Sequence, residues 1–435
     1  MHIGRSLPPA ASPIYFQDII SGLQGLYHGQ SELERFETEL KDYFNVKYCF
    51  LVSSGKAALT IILQSLKEIY PDRNQVIIPA FTCYSVPSSI VRAGLKVKLC
   101  DIGDNTLDFD LNQLQQIMSS CSLNQVSNDY NKKRLRYNGE KTNSNRSTLE
   151  LPLCIIPTDL FGVPAKISEL RESMKDSDIV ILEDAAQALG GSWQGERLGT
   201  LGDISFFSLG RGKSLSTIEG GIIVTNRDDI GSKIELRMKT IPHYSFIDMM
   251  ILLFKSIFLA FFQRPSLFWL PKSLPFLRIG ETIYDPAFKM QKMSAFQAGL
   301  AKNWQKKIRD FKKYRSKNSR YWMTILKDKK KLVPINLKAR HLPDIIRFPL
   351  KVCDPEIRAM ILRESDRLGL GIMPAYPDTI NCIKALSADF YGLEFPAAKE
   401  CVRKLITLPL HLFVTQYDRA QIAELMAEIK DNTSV

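Results

Sequence analysis

From Tyr48 to Val224 the chain alternates short apolar runs with helical patterns, and this alternation confines it to a small set of folds. CFLVSS, QVIIP, KVKLCD, LCIIP, DIVILED, ISFFSL and GGIIVTN read as strands. GKAALTIILQSLKEIY reads as a helix, with Leu59, Ile62, Leu63 and Leu66 on one face. SVPSSIVRAG reads as a short helix ended by Gly94. Apolar strands with helices between them predict a mostly parallel α/β sheet covered on both faces. Sheets of this kind bind ligands beyond the carboxyl ends of their strands. The motifs that carry chemistry lie at those ends.

The rhythm divides the chain. Residues 14–240 read as a large α/β domain, 241–293 as an apolar insertion or connector, and 294–435 as a smaller C-terminal α+β domain. Residues 119–150 are rich in Asn, Ser, Lys and Arg and poor in apolar residues, which predicts a flexible surface insertion. The formal net charge of +12 suits anionic small substrates, nucleic acid or an anionic membrane surface. No basic motif interleaved with aromatics marks a nucleic-acid module, so nucleic acid is not expected as a partner. None of the eight cysteines stands in a CxxC spacing, and the five histidines are scattered. They predict free buried thiols and no metal site. MHIGRSLPPAASPIYF has no apolar core of signal-peptide length, which points to the cytoplasm.

Three motifs carry chemistry. In Leu182-Glu183-Asp184-Ala185-Ala186-Gln187 an acid ends a buried strand, where it is costly without a cationic partner. A protonated pyridine nitrogen is such a partner; a cap on a following helix is the plainer role. In Ser205-Phe206-Phe207-Ser208-Leu209-Gly210-Arg211-Gly212-Lys213-Ser214, followed by Glu219-Gly220-Gly221, a strand leads into a glycine-containing turn with one lysine. A partly desolvated amine beside other cations has a lowered pKa and can attack an aldehyde. A solvated loop lysine is the competing reading. Ser53-Ser54-Gly55-Lys56-Ala57-Ala58-Leu59 joins a strand to a helix whose start exposes unpaired N–H groups, a natural phosphate cradle. Gly212-Lys213-Ser214 also looks like the end of a nucleotide-binding P-loop. That loop needs a glycine five positions before its second glycine, where this chain has Phe207.

In order and spacing these residues resemble the DegT/StrS sugar aminotransferases, fold-type I enzymes that depend on pyridoxal 5′-phosphate (PLP). The resemblance runs from about Pro13 to Glu428. It takes in Gly22, Gly29, Phe36-Glu37-Thr38-Glu39-Leu40, Val76-Ile77-Ile78-Pro79-Ala80-Phe81-Thr82, Asp101, Phe161-Gly162, Phe395-Pro396-Ala397-Ala398-Lys399-Glu400 and Leu408-Pro409-Leu410-His411. It implies Lys213 as the Schiff-base lysine and proton carrier, Asp184 on the ring nitrogen and Gln187 on the ring oxygen. The backbone of Lys56 and Ala57, with the Ser208 hydroxyl, would hold the phosphate. It also implies a homodimer with shared active sites, where Lys292 would reach a phosphate across the interface. The implied reaction moves an amino group from glutamate or glutamine to a keto sugar carried on a nucleotide. Relatives that are dehydratases carry histidine in place of the lysine, so Lys213 favours transfer. A different substrate on the same fold, and a PLP-binding sensor or assembly protein without turnover, are the rival readings.

Three positions depart from the family pattern. Cys83 stands where an aromatic ring usually stacks on the cofactor, and the adjacent Tyr84 is a candidate substitute. Asp159 stands where a histidine is frequent. Gly212 and Ser214 flank Lys213 in place of threonine and asparagine. Residues 246–277 stand apart as strongly apolar and aromatic. A helix from Phe246 to Gln263 puts Asp248, Lys255, Ser256 and Gln263 on one narrow stripe. A transmembrane span needs about 20 apolar residues without interruption. This run holds two charges and stops at Pro265. Two readings stay open. The segment lies in a membrane interface, with Trp269 at headgroup depth and Arg264, Lys272 and Arg278 toward anionic lipid, so that the protein sits at the inner face of the membrane. Alternatively it packs into the subunit interface or over the active site.

Overall fold

The structure is a computed structural model that describes residues 4–121, 151–175, 177–274, 282–337 and 342–429. Most of the polar stretch 119–150, and Arg278, lie outside the described residues.

The N-terminal part is built on a seven-stranded sheet. Its strands are β1 (Tyr48–Val52), β2 (Gln75–Pro79), β3 (Lys96–Cys100), β4 (Cys154–Ile155), β5 (Val180–Asp184), β6 (Ile204–Ser208) and β7 (Gly221–Thr225). They lie in the order β1-β7-β6-β5-β4-β2-β3. The β2–β3, β2–β4, β4–β5 and β5–β6 pairs are parallel. β7 runs antiparallel to both β1 and β6. The sequence pattern reads GGIIVTN as one more strand of a parallel set, and this reversal differs from that. The reason is the connection: residues 209–220 form a compact loop with no crossover helix, so the chain returns in the opposite sense.

The strands are apolar throughout because both faces are covered, and alternate residues divide between two cores. Phe206 and Ile223 face α3 (Gly55–Ile69), whereas Phe207, Ile222 and Val224 face the opposite core with Phe36, Leu40 and Trp304. α1 (Phe16–His28), α2 (Gln30–Phe44) and α4 (Ser85–Arg92) complete the early helices. A side chain at Gly25 would meet the Ala295 carbonyl oxygen at 2.5 Å, and one at Gly299 would meet the Ser21 oxygen at 2.4 Å. Glycines thus let α1 and the helix Ala295–Leu300 touch backbone to backbone. That contact joins a segment after residue 294 to the N-terminal layer.

The second sheet is antiparallel, with β8 (Leu332–Pro334), β9 (Arg347–Val352) and β10 (Leu405–Pro409) in that order. Two seams tie it to the first. The Asp101 carboxylate accepts the Ala397 and Ala398 amides at 3.0 and 2.9 Å, capping the helix Pro396–Lys404. The Ile346 amide donates to the Phe161 carbonyl at 2.8 Å.

Candidate active site

The carboxyl ends of β1, β5 and β6 open onto a cavity of about 890 Å³. Lys213, Asp184, Gln187, Ser208, Lys56 and Cys83 all line it. These residues, up to 157 positions apart in sequence between Lys56 and Lys213, therefore meet in one place.

The position of Lys213 follows from its loop. Leu209 donates to the Gly220 carbonyl at 2.8 Å and Thr217 to the Leu209 carbonyl at 2.9 Å, closing the loop over β6 and β7. Gly212 has φ 73°, which a side chain would strain, and it turns the chain immediately before the lysine. Ser214, on the other side, donates its hydroxyl to the Gln187 carbonyl at 3.4 Å. The Ser12 hydroxyl donates to the Lys213 carbonyl. The glycine and serine that replace the usual neighbours thus hold the loop by their own means. Burial lowers the Lys213 pKa, partly opposed by Cys83 and Asp184. A lysine so placed keeps a larger fraction of free amine at neutral pH.

Asp184 ends β5 on the α3 face of the sheet. Burial pushes its carboxyl up to about 6, against the Ala186 amide at 3.0 Å and nearby Lys213. A cation in front of it would reverse that shift. Glu183, its neighbour, points to the opposite face. There it accepts the amides of Gly199, Leu201 and Gly202 and the Ser205 hydroxyl. The buried carboxyl of Asp159 meets it there and is held well above the usual carboxylate range, by burial first and then by Glu183. Asp159 receives one donor, the Ala165 amide at 2.9 Å, and its second oxygen has none. Burial and the Glu183 carboxyl thus both favour the protonated form of Asp159, behind the reacting face.

The phosphate cradle is a helix start. The Ser54 hydroxyl caps α3 by accepting the Ala57 amide at 3.1 Å. Gly55 packs against Ser208, whose Cβ would lie 2.9 Å from any added side chain, so the Ser208 hydroxyl stands over the first turn of the helix. Gly55 and Lys56 face the cavity. Ala57 does not line it, because its amide is turned into the cap. Tyr84 does not line it either: it is buried in the core and its phenol is pushed up to about 12 by that burial. Cys83 forms that part of the wall. Lys292 lies at a bridge to Val52, with its amide on the Pro242 carbonyl at 2.8 Å, outside the cavity of its own chain.

Three contributions were not signalled by the sequence. Tyr376 receives a hydrogen bond from the Gln187 amide at 3.2 Å, so Gln187 is held by a phenol from the second sheet's side. Arg347 joins Tyr376, Lys213 and Gln187 around an adjoining cavity of about 480 Å³. Phe254, Lys255, Phe258 and Leu259, from the helix Phe246–Phe262, line the larger cavity, so this part of 246–277 lies at the site. Neither loop spacing nor periodicity in the sequence brings these residues to Lys213.

The residues present fit PLP. Asp184 is a buried acid without a salt-bridge partner among the described residues, where it could face a ring nitrogen. Lys213 supplies the amine, and the start of α3 with Ser208 supplies the anion site. The chain matches the DegT/DnrJ/EryC1/StrS aminotransferase family over residues 19–427. The chain belongs to that family. Family members are PLP-dependent. GDP-perosamine synthase of Vibrio cholerae is 28% identical over 207 residues, 48% of this chain and 47% of the relative. A GDP-4-keto-6-deoxy-D-mannose 3-dehydratase of Escherichia coli O55:H7 is 26% identical over 202 residues, 46% of this chain and 44% of the relative. The matched stretch thus spans about half the length of these curated relatives. The fold is that of Helicobacter pylori PseC, an aminotransferase in pseudaminic-acid biosynthesis, at TM-score 0.72 and 16% identity over 98% of this chain and 99% of that one.

Within the family, PLP supplies an aldehyde for the amine and a ring that takes up electrons. The chain's own residues do the rest. Asp184 would hold a proton on the ring nitrogen, Lys213 would carry a proton at the reacting carbon, and α3 with Ser208 would fix the phosphate.

Proposed function

We propose that this protein transfers an amino group from an amino acid, glutamate or glutamine, to a keto sugar carried on a nucleotide. The observation that carries the reading is a lysine with lowered pKa and a buried aspartate on one cavity, in a chain of this family. A histidine at position 213 would favour dehydration; the lysine there favours transfer. Relatives of both kinds are known by name, an L-glutamine:2-deoxy-scyllo-inosose aminotransferase of Streptomyces kanamyceticus for transfer and the GDP-4-keto-6-deoxy-D-mannose 3-dehydratase for dehydration. We further propose that PLP is bound through Lys213, Asp184, Gln187, Ser208 and Lys56, with Cys83 beside the ring and Ala57 only completing the cap under the phosphate, and that two copies form a homodimer in the cytoplasm. Lys292 then acts on the partner's site and Tyr84 acts only as core.

The test is a panel of nucleotide-linked keto sugars with L-glutamate or L-glutamine and the PLP-loaded protein. Release of 2-oxoglutarate with an aminated sugar is the expected result. Loss of water from the sugar without amination would replace transfer with dehydration. A second reading is PLP binding without turnover. It draws on the Pleiotropic regulatory protein of Geobacillus stearothermophilus, 28% identical over 202 residues. Absence of half-reaction with any amino acid, while PLP stays fixed to Lys213, would favour it.

A further inference from the structure

Arg347 is a charged group at the site that the proposed chemistry leaves unused. It opens β9, and the next residue, Phe348, is fully buried on the other side of the strand. The hydrogen bond from Ile346 to Phe161 pins this end of β9 beside the turn that precedes Asp184 in space. Arg347 therefore looks across the seam between the two sheets, into the cavity it shares with Lys213, Gln187 and Tyr376. Its Nε and Nη2 are shut off from solvent and have no hydrogen-bond partner. Among the described residues no carboxylate pairs with it. Its nearest ring contact is Phe161, with the guanidinium 5.8 Å from the centroid. Burial lowers its pKa to about 10, so it stays charged at neutral pH. A desolvated cation with idle donors destabilises a fold unless an anion completes it.

We propose that Arg347 is the receptor for the α-carboxylate of the amino donor. The claim rests on the amino-transfer reading above and names the group that the site grips. Three observations choose a carboxylate of the donor over a phosphate of the sugar. A guanidinium is a planar fork that matches a carboxylate through two parallel N–H bonds. The α-carboxylate is one bond from the carbon at which Lys213 carries a proton, so its receptor has to stand near Lys213. Arg347 does: they line the same cavity, and the charge of Arg347 helps hold the lysine's pKa down. Finally, Ser54, Gly55, Lys56 and Ser208 line only the larger cavity, so the cofactor's own phosphate is provided for elsewhere. The walls around Arg347 are mainly apolar, with Phe161, Phe258 and Phe268. A short carbon chain suits them better than a hydrated diphosphate.

Two measurements test this. In the first, the PLP-loaded protein is titrated calorimetrically with glutarate, which has carboxylates but no amine and cannot react. Arg347→Gln should weaken binding by at least about tenfold, the scale of a lost charge-assisted hydrogen bond. Arg347→Lys, which keeps the charge but not the fork, should fall between. In the second, the visible band of the bound cofactor is followed with L-glutamate and with γ-aminobutyrate, the same amine without the α-carboxylate. The wild type should prefer glutamate strongly, and Arg347→Gln should shrink that preference at least about tenfold. Return of the amine to the keto sugar should fall by a clearly smaller factor than the glutamate half-reaction in either variant, since both half-reactions use Lys213 but only one presents an α-carboxylate. Wild-type glutarate affinity in both variants would overturn the proposal. So would an unchanged preference for glutamate, or a loss confined to the sugar half-reaction, which would make Arg347 a phosphate site. If Arg347→Gln fails to retain PLP on Lys213, the lysine variant decides by the same measures. Failure of the wild type to aminate any sugar would remove the functional reading, whereas the glutarate titration still decides the role of Arg347.

Discussion

Asp159 and Asp184 are both buried aspartates near Glu183, and their partners set them apart. Asp184 has an amide and Lys213 to favour its charge. Asp159 has one amide, an oxygen without a donor, and the Glu183 carboxylate in front of it. Glu183 collects three amides and a hydroxyl, so the proton belongs on Asp159. The folded pKa of Asp159 is raised above its unfolded value near 4. Its stabilising contribution is therefore complete below about pH 4 and is lost as pH rises through the folded value. Asp159→Asn cannot titrate. Denaturant melts from pH 5 to pH 8 should show the wild type losing stability relative to the variant, by up to about 1.4 kcal/mol per pH unit. Parallel profiles would mean that the pair does not hold a proton. Asp184→Asn tests the other acid. It removes the charge that keeps the ring nitrogen protonated, and turnover should fall at least roughly a hundredfold with a much smaller effect on PLP retention. The contiguous motif Glu183-Asp184-Ala185-Ala186-Gln187 made Asp184 legible in the sequence. The departure at Asp159 was equally visible, but its partner was not. Strand alternation sends Glu183 to the face away from the cofactor, and no local pattern pairs positions 159 and 183. Arg347 was invisible for the same reason: a single arginine at a strand start carries no periodic signal, and its meaning comes from the seam it faces.

Elements were more legible than contacts, because each strand and helix writes its own periodicity. The seven strand segments of the large sheet stand close to where the apolar runs put them, and the start of α3 falls at Gly55. The direction of β7 was not written locally, since the same apolar run serves a parallel or an antiparallel neighbour. The helix Phe246–Phe262 shows the limit from the other side. Its stripe of Asp248, Lys255, Ser256 and Gln263 divides between buried and ion-paired positions, with Lys255 exposed. Ser256 and Gln263 are buried, Lys255 pairs with Glu219 at 3.4 Å and Asp248 with Lys289 at 2.7 Å. The expected lipid-facing cation Lys272 pairs with Asp366 at 2.6 Å instead. The element prediction that matters most for the site concerns α3. Ser54→Ala removes the hydroxyl that caps the helix under the phosphate cradle. Stability should fall by about 1 kcal/mol in denaturant melts. PLP should also dissociate faster, because the frayed first turn no longer presents its amides together. Unchanged dissociation would place the anion site on Ser208 and its loop alone.

At the scale of the whole molecule, the unusual feature is an apolar surface that the described residues leave exposed. Phe246 is 80% exposed, Ile247 70% and Phe254 73%, and Met250 and Ile251 lie between them. Phe16 of α1 packs its ring on Phe261 at 5.0 Å, which extends the surface onto Ile20 and Leu23. Contiguous exposed surface of this kind marks an interface. No described helix is long and apolar enough to cross a membrane. Phe254 indicates which cover fits: it is exposed at its outer edge and at the same time lines the cofactor cavity. The cavity is thus open on the side that carries the apolar surface, and a second copy laid there would close it. A membrane would cover the helix but would leave the cavity against lipid, where an anionic nucleotide sugar could not enter. The wild type should therefore sediment as a dimer and stay at the bottom of a flotation gradient with anionic liposomes at low salt. Phe246→Glu, which lies outside the cavity lining, should weaken self-association at least about tenfold, since a charge buried at an interface without a partner is strongly unfavourable. A monomeric wild type that floats with the liposomes, and a Phe246→Glu variant that no longer does, would assign the surface to the membrane instead.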